Sequence, residues 1–125
     1  MLQSNPVTWF EIYVDDLTRA RDFYHSVFHY EFTHIPFNGD FEAYLFQGSM
    51  PAVGALGALM KHPLRGPSAQ GSIVYFHCDG CDEICHRALE QGGHIFKAKT
   101  NIGKDGFIAL IGDSEGNVIG VHSWV

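Results

Sequence analysis

Residues 9–32 read WFEIYVDDLTRARDFYHSVFHYEF. The opening six residues are a short apolar run interleaved with polar and aromatic side chains, which predicts a strand. Asp15 and Asp16 stop it. Asp16 suits an N-cap, because its carboxylate can accept from an orphan helical N–H. Leu17, Ala20, Phe23, Tyr24, Val27 and Phe28 then recur at helical spacing, with charged and polar residues on the other faces. Tyr30, Glu31 and Phe32 resume an extended pattern. The unit is strand, helix, strand.

The same order returns 64 residues later. IVYFHC (residues 73–78) is again a short apolar run, and Asp79 falls where Asp15 stood. Ile84, Cys85, Ala88 and Leu89 give helical spacing, ended by Gly92 and Gly93. His94 to Phe96 takes the place of Tyr30 to Phe32. An internal repeat of this length governs the fold. Between the two units, Asn38-Gly39 marks a hairpin. Residues 61–71, KHPLRGPSAQG, have the proline and glycine content of a linker. A second hairpin turns around residues 114–116. Each half therefore reads βαβββ, an α+β class. Module one covers about residues 6–60, the linker 61–71, and module two 72–125. Neither half is large enough to bury a core alone, so the two must pack into one domain spanning residues 1–125.

The chain has 125 residues, 46% hydrophobic and 18% charged, as expected of a soluble globule. Its net charge of −6 and scattered basic residues argue against nucleic-acid binding. No apolar run is long enough to span a membrane, and no secretory leader is visible, so a cytoplasmic location is expected. Three cysteines do not make a disulfide framework. Cys78, Cys81, Cys85 and His86 form a C-x2-C-x3-C-H cluster that a strand-to-helix turn would splay, and the cysteines read as ordinary buried or half-buried thiols. His25 and His29 share a polar helical face with Arg21, which suits a solvated surface. Asp113 and Asn117 flank a tight turn, and turn chemistry accounts for them.

The pattern V-D-D-L-x-x-A-x-x-F-Y (residues 14–24) and the ending D-S-E-G-N-V-I-G (residues 113–120) resemble the vicinal-oxygen-chelate superfamily of glyoxalases, bleomycin-resistance proteins and extradiol dioxygenases. The resemblance covers nearly the whole chain. It implies two βαβββ modules forming a curled mixed sheet around a cleft, helices outside, and a homodimer. It also implies four metal-ligand positions, on the first and last strand of each module. Those positions fall on Trp9, Ile73, Gly120 and a residue at or next to Gly57. None of these supplies a ligand atom, and residues 51–60 hold no His, Asp, Glu or Cys. No metal and no other cofactor is therefore expected.

Strand alternation gives the rest of the lining. If Trp9, Ile73 and Gly120 face the cleft, so do Glu11, Tyr13, Tyr75, His77 and His122. The expected ligand-binding residues are thus Trp9, Glu11, Tyr13, Tyr75, His77 and His122, an aromatic pocket with a few polar groups. Two functions fit. One is a metal-independent small-molecule binder, like the drug-sequestering members of the superfamily. The other is a lyase or isomerase related to lactoylglutathione lyase. It would use Glu11 as base and His77 or His122 as acid, with room for a displaced metal.

The missing donor atoms generate a prediction. Untagged protein incubated with excess Zn²⁺, Ni²⁺ or Mn²⁺ and desalted should retain no stoichiometric metal by elemental analysis. One tightly held ion per chain, lost in Glu11→Ala or His77→Ala, would promote the enzyme reading.

Overall fold

The computed structural model describes residues 5–49 and 52–125. Module one runs β1 (Trp9–Tyr13), α1 (Leu17–Phe28), β2 (Phe32–Ile35), β3 (Glu42–Phe46) and β4 (Leu56–Lys61). Module two runs β5 (Tyr75–His77), α2 (Cys81–Glu90), β6 (His94–Asn101), β7 (Phe107–Gly112) and β8 (Val118–Ser123), with a 3₁₀ turn at Gly103–Asp105. Both modules are βαβββ, as the repeat predicts. The strands are shorter than the apolar runs, most of all β5 with three residues.

Local chemistry explains the boundaries. Asp16 caps α1, its carboxylate accepting from the Arg19 N–H at 2.9 Å. His29 ends that helix in the left-handed region at φ 65°. Asn38 shapes the β2–β3 turn by accepting from the Asp40 and Phe41 N–H groups. After α2 the chain turns at Gly92, at φ 87°. The next residue, Gly93, lies so close to the Gly112 and Ala88 carbonyls that a Cβ would not fit.

Each module forms one four-stranded sheet, in the orders β1-β4-β3-β2 and β5-β8-β7-β6. The first and last strands of each module pair in parallel, and the remaining pairs are antiparallel. The two sheets meet along β1 and β5 without ladder bonds. Val7 and Phe10, around the start of β1, share a cavity with Tyr75 and His77, while Glu11 and Tyr13 lie near Ser72 and Val74. The two edge strands therefore run antiparallel across a seam.

One core serves both modules. It lies on the helix side, where Ile12, Phe23, Tyr24 and Val27 pack with Ile84, Ala88, Ile111 and Val121. Phe76 is its shared ring. It comes from module two and lies 5.1–5.9 Å, centre to centre, from Phe10, Tyr24, Phe28, Tyr30 and Phe46 of module one. Truncating such a ring costs about 3–5 kcal/mol.

Polar contacts fix how the modules sit. The turn between β7 and β8 docks on the β1–α1 junction. Glu115, its side chain fully buried, accepts from the N–H groups of Asp15 and Asp16 and from the Arg19 guanidinium. Asn117 donates to the Tyr13 carbonyl at 2.9 Å. Tyr24 donates to Asp113 at 2.8 Å, and Asp113 also accepts from the N–H groups of Glu115 and Asn117. Turn chemistry is thus only half of what Asp113 and Asn117 do. From α2, Arg87 donates to the Val27 carbonyl at the end of α1.

These carboxylates are shifted in opposite directions. Burial alone would raise Glu115, but the Arg19 guanidinium, the Asp16 N–H and the Ser114 hydroxyl outweigh it and hold the group below its usual value. Burial raises Asp113, against its hydrogen bonds from Asn117, Glu115 and Tyr24. A depressed carboxyl contributes stability that is present above its unfolded value and lost as pH falls through its folded value. A raised one has the opposite sign. Glu115→Gln should therefore flatten the acid limb of a stability–pH curve below the ordinary glutamate value of 4.5. Tyr24→Phe removes a donor from a buried carboxylate and should cost about 1.5–3 kcal/mol in urea unfolding at neutral pH.

Candidate functional site

The side of the sheets away from the helices is an open inner face. In module one, β1 turns Trp9, Glu11 and Tyr13 to it, opposite Leu56, Ala58 and Met60 of β4. Phe10 and Ile12 face the helices, as alternation predicts. Gly57 also faces the helices, because a Cβ there would enter the Phe10 ring. The inner-face residue at the family's ligand position is thus its neighbour Ala58. In module two, Tyr75 and His77 of β5 lie opposite Gly120 and His122 of β8.

The six expected lining residues form two groups, one on each sheet. On β1, the Tyr13 hydroxyl donates to Glu11 Oε1 at 2.6 Å and the Trp9 Nε1–H to Oε2 at 3.3 Å. Glu11 is held between two aromatic neighbours on its own strand. That hydrogen bond, with burial and the Glu11 charge, raises the Tyr13 phenol above 10.0, and Arg65 pulls the other way. The Arg65 guanidinium lies 5.8 Å from the centre of the Tyr13 ring, and His62 meets the same ring edge-on. On the other sheet, the His77 and His122 ring centres are 6.5 Å apart. His122 Nε2 is 2.6 Å from the Asp105 carbonyl. A carbonyl only accepts, so Nε2 is the donor in this contact. Trp124 packs edge-on against His122. Glu11 shares no hydrogen bond with either histidine.

Two cavities open along the seam. The larger, of about 580 Å³, is mostly apolar, and its walls include Phe10, Tyr30, Phe46, Leu56, Ile73 and Tyr75. His77 and Gln47 supply its polar groups, with Phe76 at the back. The smaller, of about 180 Å³, lies at the other end, beside Glu11 and Tyr13. The aromatic core residues Phe10, Tyr30, Phe46 and Phe76 were not among the expected lining. Alternation assigns Phe10 to the helix side, and the unpaired seam lets a cavity reach it and the rings packed beside it.

The family's metal does not fit these residues. Trp9, Ile73, Ala58 and Gly120 have no donor side-chain atom suited to a divalent ion. At Gly120 the Tyr75 ring fills the space that a side chain would need. Among the described residues, no three His, Cys, Asp or Glu side chains are grouped to hold an ion. Cys78, Cys81 and Cys85 are buried free thiols, and burial, the neighbouring Cys81 and its hydrogen bond push the Cys78 thiol up to about 12. His25 and His29 are exposed. Among the described residues, no helix is long and apolar enough to cross a membrane.

Residues 7–41 match the family described as Bleomycin resistance protein-like N-terminal. No curated protein sequence matches the chain. Solved structures resemble it over nearly its full length. A glyoxylase/bleomycin resistance protein/dioxygenase domain from Frankia sp. EAN1pec superposes with a TM-score of 0.75 at 13% identity, covering 98% of this chain and 100% of that one. TnmS3, an antibiotic binding protein from Streptomyces sp. CB03234, gives 0.68 at 23% identity and covers 100% of both chains. A glyoxalase/bleomycin resistance protein/dioxygenase family enzyme from Burkholderia phytofirmans PsJN gives 0.65 at 17%, covering 94% of this chain and 98% of that one. The chain thus has the paired-module fold of these proteins, and the β1–α1–β2 part of its first module resembles the Bleomycin resistance protein-like N-terminal family.

Proposed function

We propose that this protein binds a flat, largely apolar small molecule against the seam between its modules, without a metal. The observation that carries the reading is the cavity of about 580 Å³ with aromatic walls and few polar groups. That size and polarity are typical of small-molecule sites. Offset stacking on Tyr75 or Phe10 would hold a planar ligand, and His77 would orient it. The likeness to an antibiotic binding protein supports the same reading. An enzyme would need Glu11 to meet an acid partner, and its oxygens are instead engaged by Trp9 and Tyr13. The geometry supports binding better than proton abstraction.

We further propose that the working form is a homodimer in the cytoplasm. Trp9, Tyr75, Phe96 and Trp124 leave large apolar surface open, with Trp124 62% exposed. Surface of that kind favours a partner.

A neutral, polarity-sensitive naphthalene dye should bind, and Ile73→Asp at the cavity rim should weaken it about tenfold or more, since a charge there must be desolvated. Unchanged affinity in a folded Ile73→Asp variant would place the ligand elsewhere. Light scattering should give twice the chain mass of 13.9 kDa. A monomer at high concentration would refute the dimer.

A further inference from the structure

From the charge of the inner face we infer that the β1 ladder of Trp9, Glu11 and Tyr13, which lies outside the walls of the larger cavity, is a subsite for an organic cation. It goes beyond the cavity reading above, because these three side chains are not among that cavity's walls. Among the described residues, the eight strands contain two carboxylates, Glu11 and Glu42. Glu42 lies on the outer side with Tyr44, where it pairs with His34 at 2.6 Å. Glu11 is therefore the carboxylate that the strands turn to the inner face. The donors that hold it, an indole N–H and a phenol, are both uncharged. Among the described residues it has no ion pair. Its charge is oriented but not neutralised.

The rings beside it complete the recognition. Trp9 and Tyr13 stand one on each side of Glu11 along the strand, and Trp9 is 43% exposed. A cation placed over either ring gains from its negative face and from the adjacent carboxylate together. The chain itself supplies such a cation. Arg65, from the linker between modules, lies over the Tyr13 ring without bonding to Glu11. The linker guanidinium thus competes with a ligand's charge at one end of the ladder. The net charge of −6 draws cations toward the protein and repels anions.

The test uses a matched pair of planar probes on the full chain. In mildly alkaline buffer 10-methylacridinium is a cation, while acridine is uncharged and nearly the same shape. Calorimetry should show the cation binding about tenfold more tightly. Glu11→Gln should abolish that preference and leave acridine binding in place. Arg65→Ala should tighten the cation several-fold and leave acridine unchanged. Glu42→Gln, which removes the same charge from the outer side, should change neither. Equal affinities for the two probes would overturn the cation inference while the binding reading stands. Failure of both probes to bind would overturn the two together. A loss of preference in Glu42→Gln as large as in Glu11→Gln would reduce the effect to net charge and also overturn it. Circular dichroism on each variant confirms that it is folded.

Discussion

The arrangement of the two modules depends on how one turn is held. The β7–β8 turn of module two presents a buried carboxylate to the start of α1 in module one. There Glu115 meets two backbone N–H groups and a guanidinium. An unpaired carboxylate would not be tolerated at that burial, so docking the turn and neutralising it are one event. Asn117 adds a bond to the last carbonyl of β1, and Asp113 takes the hydroxyl of the most deeply buried tyrosine, Tyr24. Three residues within five positions thereby set the height of β8 against β1. The seam inherits its width from that setting.

A seam without ladder bonds has a consequence for the core. Two edge strands left unpaired lose backbone hydrogen bonds to each other, and other interactions must hold them together. Here the aromatic cluster around Phe76 does so from the helix side. The same rings become the inner wall of the larger cavity. One set of side chains joins the modules and shapes the pocket. Enlarging the pocket by truncating Phe10 or Phe76 therefore also loosens the modules, whereas changes at Ile73 or Tyr75 touch the rim alone.

The fold was legible because it is periodic. Leu17 to Phe28 carries a helical stripe, Asp16 is a cap, Asn38-Gly39 is a hairpin, and the whole order recurs once. Alternation also sorted Trp9, Glu11 and Tyr13 from Phe10 and Ile12 correctly. What the sequence concealed depends on contacts between distant residues. Asp113 and Asn117 look like turn formers, and nothing local says that Tyr24 and the Tyr13 carbonyl lie within reach. Glu115 sits in the turn at residues 114–116, yet its side chain is fully buried. The cavity was hidden for a similar reason. Alternation assumes a continuous sheet, and a break between β1 and β5 admits a ligand to residues assigned to the core.

The division of labour between the two faces leaves the inner face free to vary without loss of fold. The shared core lies on the helix side, and among the described residues the buried hydrophobic group on the inner face is a small one around Ala43, Ala58 and Met60. Trp9, Tyr75 and His77 are exposed and carry little of the packing. Substituting them changes solvent-facing chemistry at small cost to stability. At Gly120 the constraint is local, since any side chain there would displace Tyr75. Tyr75 and Gly120 therefore form a pair: an aromatic platform on β5 that requires a glycine on β8. A carboxylate at that glycine would remove the platform, so a metal ligand and this stacking surface exclude each other at the same position.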